Sequence, residues 1–62
     1  MLGEQVRNIR KKRGITLKEL AEKTGLSIGY ISQIERNLTD PSLSTLRKLS
    51  AALDIPTYLF MG

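Results

Sequence analysis

Apolar residues recur along this chain at intervals of three and four, and nowhere with the two-residue alternation of a half-buried strand. Leu2, Val6 and Ile9 form the first set, which predicts a helix from about Leu2 or Gly3 to Arg13 with Gly14 as its stop. Leu17, Leu20 and Ala21 mark a second helix, closed by Gly25. Its start reads "TLKE", in which Thr16 caps the Glu19 amide while the Glu19 side chain reaches back to the backbone. Ser27 is placed to cap a third helix, from about Ile28 to Arg36 or Asn37. A fourth opens after Pro41 with Ser42 as its cap, and Leu43, Leu46, Leu49, Ala52 and Leu53 form a continuous apolar stripe along it. Pro56 suits the first position of a short fifth helix ending "YLFMG". The pattern predicts an all-α, compact five-helix domain over residues 1–62, with no linker, repeat or low-complexity segment.

The third helix presents a face that its core contacts do not need. Ile31 and Ile34 set the buried direction, and at about 100° per residue Gly29, Ser32, Gln33 and Arg36 lie opposite. A merely solvated face favours Lys, Glu and Ala. Small residues at the start, an amide in the middle and a guanidinium at the end suit contact with another surface. In a DNA major groove, Gly29 permits close backbone approach, Gln33 matches an adenine edge, Ser32 donates or accepts, and Ile28 meets a thymine methyl. The plainer assignment is an ordinary exposed face with a tolerated glycine. Tyr30 divides between packing against the second helix and donating to a phosphate. Glu35 leans toward the core and needs a partner there, which Arg10 on the edge of the first helix's buried face can supply. The alternative is two independent surface charges.

Charge narrows the partner. Ten Lys and Arg against six Asp and Glu give a formal net charge of +4, which favours a polyanion. The run "RKKR" at residues 10–13 either stabilises the C-terminal end of the first helix or lies near phosphate. With no cysteine and no histidine, disulfides, a Cys/His zinc site and the usual thiolate or imidazole chemistry are excluded. Glu19 and Glu22 lie on a polar helix face without a nucleophile or metal ligands, so no catalytic residue, metal or cofactor is expected. The apolar stretches are too short for a membrane span or a secretory signal, which makes a cytoplasmic location the expectation.

Two short helices joined by a turn containing Gly25 have the outline of a helix-turn-helix. The run "LKELAEKTGLSIGYISQIERNLTDPSLSTLRKLSAALDI" resembles the phage-repressor-like (XRE) helix-turn-helix family, and the likeness extends over about Leu2 to Leu59. No single piece is diagnostic, but "LA..G.S..YIS.IE" followed by "P....L..L..AL" is a specific composite. The resemblance implies a lambda-repressor-like fold, with motif helices at about 17–24 and 28–36. It also implies a transcriptional regulator, a repressor, that binds double-stranded DNA sequence-specifically. Carried over residue by residue, it implies base reading by Ser27, Ile28, Gly29, Ser32 and Gln33. Phosphate contacts are implied for Thr16, the Leu17 amide and Lys18, for Tyr30 at the margin, and for Arg36, Asn37, Leu38 and Thr39. The Arg10 and Glu35 pair also matches a family feature. Where some relatives carry polar base readers this chain has Ile28 and Gly29, which shifts the burden to Gln33, methyl contacts and DNA shape.

Specific binding ordinarily needs a dimer, so a homodimer on an inverted-repeat operator is the expectation. The resemblance also implies that relatives often continue into a C-terminal dimerisation or ligand-sensing domain, which leaves open that the chain is the N-terminal part of a longer regulator. The apolar Leu59, Phe60 and Met61 are the expected attachment point, or else Leu59 and Phe60 complete the core and Met61 is exposed. Two other readings share the pattern: a protein-interaction module using the same helical surface, and an antitoxin or restriction-system controller with the same DNA-binding fold.

Overall fold

The computed structural model describes residues 2–61, which form α1 (Leu2–Lys12), α2 (Leu17–Thr24), α3 (Ile28–Glu35), α4 (Leu43–Leu53) and a final 3-10 turn (Thr57–Phe60). No strand occurs among these residues. α1 packs on α3 and α4, α2 lies against the same two helices, and the 3-10 turn closes the bundle against α4 and α1. Val6, Leu20, Ile31, Ile34, Leu46, Leu49, Leu53 and Phe60 are the buried core, one or more from every element. No helix is longer than eleven residues, below the length at which an isolated helix holds itself in water, so this shared core is what stabilises them.

Local chemistry sets the helix ends. The Thr16 hydroxyl accepts from the Glu19 amide and the Glu19 carboxylate accepts from the Thr16 amide, both at 3.0 Å. Ser27 and Ser42 cap α3 and α4 in the simpler way, accepting from the Tyr30 and Thr45 amides at 3.0 and 3.1 Å. α2 ends at Gly25, whose φ of 75° is left-handed and nearly free of steric cost only for glycine. The Thr24 hydroxyl braces that turn, donating to the Leu20 carbonyl at 2.8 Å and accepting from the Leu26 amide at 3.2 Å. The connection from α2 to α3 is thus fixed at both ends and in its middle.

Four elements depart from the sequence pattern. The segment after Pro56 is one 3-10 turn instead of a fifth α-helix, with Pro56 as its N-cap and not its first helical residue. The left-handed Asp54 turns the chain back, and four residues suffice to return Phe60 to the core, where the tighter i to i+3 bonding fits. Phe60 is buried, whereas Leu59 is half exposed and Met61 more so; Gly62 lies outside the described residues. Leu43 does not continue the stripe of α4: it sits in the first turn, beyond the edge of the core, and is 45% exposed. Thr45 and Ser50 are buried instead, held by hydrogen bonds to Ser42 Oγ and to Thr57 Oγ1, at 3.0 and 2.6 Å. α1 and α3 end one residue short of the nearer limits read from the pattern, at Lys12 and Glu35.

Candidate functional site

The surface singled out by the pattern centres on α3, and the way α3 is held decides which of its atoms are available. Ile31 and Ile34 are essentially inaccessible. Beside them the Glu35 side chain, 5% exposed, accepts from Arg10 through both oxygens: Nε to Oε2 at 2.7 Å and Nη2 to Oε1 at 3.1 Å. A third arm of the same guanidinium, Nη1, donates to the Ile15 carbonyl at 2.9 Å. One side chain thereby ties α1, the entry to α2 and the end of α3 together. With Glu35 neutralised internally, no acid from α3 opposes an anion approaching from outside.

A second clamp lies just past the same end of α3, where no local pattern signals it. Asn37 is left-handed, with φ of 58°, and its Oδ1 accepts from the Gly3 amide at 3.0 Å. Gly3 is buried against the carbonyls ending α3; a Cβ there would collide with the Ile34 oxygen and lie 2.7 Å from that of Glu35. Sequence reading treats Gly3 as a helix start, because the contacts that require a glycine come from residues more than thirty positions away.

The outer face of α3 is open. Gln33 and Gly29 are exposed, Ser32 is half-buried, Ile28 is 46% exposed and Arg36, the C-cap, is exposed. A Cβ built on Gly29 would meet nothing within 4 Å, and its φ is not positive, so neither packing nor backbone geometry requires a glycine there. Ser27 is exposed with one lone pair used as the cap, leaving its O–H to donate. Tyr30 is half-buried, its ring against the core cluster, and its hydroxyl makes no hydrogen bond among the described residues.

The expected phosphate contacts are more restricted. The Thr16 amide is taken by Glu19, so the first-turn amides left without an acceptor are those of Leu17 and Lys18. The amides of Arg36, Asn37 and Leu38 donate to the carbonyls of Ser32, Ile34 and Gln33, at 3.0, 3.0 and 2.9 Å, which closes the end of α3. What remains there is the Arg36 guanidinium, the Asn37 side-chain amide and the half-buried Thr39; Leu38 offers only an exposed apolar side chain, 62% accessible. Leu17, Ser32 and Arg36 come together around a hollow of about 210 Å³ between α1, α2 and α3, whose other lining residues are Arg7, Arg10 and Glu35. Lys18 is exposed outside that hollow.

Of the basic run at 10–13, Arg10 turns inward, Lys11 and Lys12 are exposed, and Arg13 donates to the Asp54 carbonyl at 3.3 Å. Among the described residues no group of three or more His, Cys, Asp or Glu is placed to hold a metal ion, and no helix is long and apolar enough to cross a membrane. Among the described residues, the ionisation of Glu19 is displaced by its cap. The Thr16 amide and then the Thr16 hydroxyl hold its carboxyl below the ordinary value, with help from the charge of Lys23.

Comparison with known proteins places this geometry. Residues 6–60 match the helix-turn-helix family. Over 63 aligned residues the chain is 45% identical to the transcriptional regulator SinR of Bacillus licheniformis, all of the chain being covered and 57% of that regulator's length. A crystal structure of SinR, the master regulator for biofilm formation, in complex with DNA superposes with a TM-score of 0.93 at 44% identity, covering all of both chains. The P22 c2 repressor bound to a synthetic operator superposes at 0.89 with 37% identity, over 97% of this chain and 91% of that one.

Proposed function

Because the chain belongs to the helix-turn-helix family, we propose that it is the DNA-binding domain, residues 1–62, of a transcriptional repressor that recognises double-stranded DNA by sequence. The observation that carries this reading is the outer face of α3, exposed at Gly29, Gln33 and Arg36 and holding a glycine that the fold does not use. A glycine in a helix costs about 0.5–1 kcal/mol relative to alanine. Here the lost stability leaves space for close approach by a partner surface. The DNA complexes of the two similar proteins support a duplex as that partner.

α3 enters the major groove N-terminal end first, which brings Ser27, Ile28 and Gly29 to the base edges with Ser32 and Gln33 one turn behind. Gln33 reads adenine in bidentate fashion, Ile28 covers a thymine methyl, and Ser27 and Ser32 supply single hydrogen bonds. Leu17 and Lys18 present amides to a backbone phosphate, where the positive end of α2 adds to the Lys18 charge. Thr16 contributes through its hydroxyl, Tyr30 through its free phenol, and Arg36, Asn37 and Thr39 through side chains on the opposite flank, where Leu38 packs against the sugar edge. Affinity then comes largely from neutralised phosphates and falls steeply with salt.

One domain covers a half-site, so the working unit is a homodimer on an inverted repeat, with half-sites about 34 Å apart or a multiple of it. The chain spans 57% of the length of the SinR relative. The site of action is the cytoplasm. The reading is tested by selecting bound duplexes from a random-sequence pool at about 150 mM salt, where purely electrostatic binding is weak. Enrichment of a short motif as an inverted repeat of fixed spacing is expected. Retention of the pool without any enriched motif would refute sequence-specific readout, and no retention would refute DNA binding itself.

A further inference from the structure

A second hollow, of about 420 Å³, opens between α2 and α4 and shares no residue with the outer face of α3 or with the hollow beside it. Lys23 and Thr24 form its wall on α2, and Lys48, Ala51 and Ala52 its wall on α4. Its volume falls within the range of about 300–1,000 Å³ typical of pockets that take ligands. Both lysines are exposed, and neither forms an ion pair among the described residues. No acid lines the hollow, and α4 contains none. Glu19, one turn before Lys23, is engaged at the other end of α2 by the Thr16 amide. Lys23 complements the C-terminal end of α2, but Lys48 sits in the middle of α4 and meets no helix end. Between the two cations Ala51 and Ala52 leave the space unfilled, and the lysine stems add apolar surface to their methyl groups.

This lining is complementary to carboxylates carried among small apolar residues. It suits a DNA phosphate less well, because phosphate sites draw on hydroxyls and free helix-start amides as well as cations. Here the Thr24 hydroxyl is spent on the Leu20 carbonyl, and the lining residues lie within helices, away from their first-turn amides. We propose that the hollow docks an acidic segment of a partner protein, its carboxylates paired with Lys23 and Lys48 and its small apolar side chains seated on Ala51 and Ala52. Since the hollow shares no residue with the outer face of α3, the partner binds while a duplex is held.

The probe is a short blocked peptide of alternating glutamate and alanine, titrated into the isotopically labelled chain at about 50 mM salt, with backbone amide NMR shifts as the readout. A peptide with glutamine in place of glutamate and inorganic phosphate are titrated in parallel. Saturable shifts confined to Lys23, Thr24, Lys48, Ala51 and Ala52 are expected with the glutamate peptide alone, with or without a mixed-sequence duplex present. Lys23→Gln combined with Lys48→Gln should weaken the peptide by at least about fivefold, as two exposed ion pairs predict. The same double variant should change duplex affinity by less than about threefold and leave the salt slope nearly unchanged. No saturable shift, shifts spread equally over Lys11, Lys12 and Lys18, or equal saturation by phosphate would overturn the proposal. A salt slope flattened by about 0.9 or more would overturn it too, by making the hollow a DNA-phosphate site. A chain that binds the peptide but no duplex would sink the DNA reading and leave this one standing.

Discussion

Arg10→Met is the substitution whose consequence follows most directly from the structure. It removes a guanidinium whose side chain is 10% exposed and leaves Glu35, 5% exposed, with neither of its donors at 2.7 and 3.1 Å. Breaking a buried pair by deleting one partner costs about 3–5 kcal/mol, because the remaining charge stays desolvated. The loss of the Nη1 bond to Ile15 adds little, since that bond is only part-buried. A domain of this length has roughly 3–9 kcal/mol of total stability, so the variant is expected to be marginal or unfolded at room temperature. In a thermal melt followed by far-ultraviolet circular dichroism, the midpoint should fall by at least about 12 °C. The second arm of the experiment isolates the cause. Arg10→Met combined with Glu35→Leu replaces the pair by apolar groups and should recover most of the loss, giving a coupling energy near 3 kcal/mol. Asp54→Asn calibrates the scale: its exposed contact with Arg13, at 4.0 Å, should be worth less than about 0.5 kcal/mol. A loss under about 1 kcal/mol for Arg10→Met, additive with Glu35→Leu, would show that the pair is hydrated and that the clamp on α3 lies elsewhere.

Four further outcomes are expected. Gln33→Ala should cost about 1–3 kcal/mol on the best duplex and change the base preferred at one position; an unaltered preference in a repeated pool selection removes Gln33 from the readers. Gly29→Ala should stabilise the domain by about 0.5–1 kcal/mol in urea melts while weakening specific DNA binding, and undiminished affinity would show that the glycine serves no close approach. Gly3→Ala places a methyl against the Ile34 and Glu35 carbonyls and should cost about 1–3 kcal/mol, an expectation that an unchanged melting temperature would contradict. Glu19 gives a pH test with a definite sign. Its folded carboxyl titrates below 4.5, so its stabilising part is complete above that value and is lost as pH falls through the lower folded value. A carboxyl carbon NMR titration should find a midpoint below 4.5 that rises in Thr16→Ala, and a midpoint at or above 4.5 in the unsubstituted chain would contradict the capping box.

How much of this was legible in the sequence depended on how far apart the interacting residues lie. Caps act over three residues, so Thr16, Ser27 and Ser42 could be read from spacing alone, and the helical period located Val6, Leu20, Ile31, Ile34, Leu46, Leu49 and Leu53 in the core. Glu35 was readable through its angle on the helix: a carboxylate leaning inward must find a cation, and Arg10 was the one on the edge of a buried face. Gly3 gave no such signal, since the requirement for a glycine arises only when α1 meets the carbonyls of α3. Leu43 misled because periodicity gives the direction of a side chain but not where the core ends along the helix axis. For the candidate site, the pattern separated the outer face of α3 from its core face, but not which amides remain available. Leu38 shows the difficulty: its amide looks free in a loop, yet it closes the end of α3 through the Gln33 carbonyl.

The division of labour on α3 has a further consequence for how such a domain can change its target. An eight-residue helix is too short to persist alone, so α3 must be held from one side by the rest of the fold. That side is used fully: Ile31 and Ile34 in the core, Glu35 on Arg10, and the exit residue Asn37 on the Gly3 amide. None of these contacts draws on the side chains of Gly29, Ser32, Gln33 or Arg36. Substitution on the outer face therefore leaves the anchoring intact, and its effect on stability should stay near the scale of helix propensity, within about 1 kcal/mol. Gly3, Arg10 and Glu35 have the opposite character. Changing them alters no outer-face side chain but loosens the helix that carries it, so their loss should weaken binding to every sequence without changing which sequence is preferred. Measured together, affinity and base preference separate the two sets: a variant that shifts preference lies on the outer face, and one that lowers affinity and stability uniformly lies in the clamp.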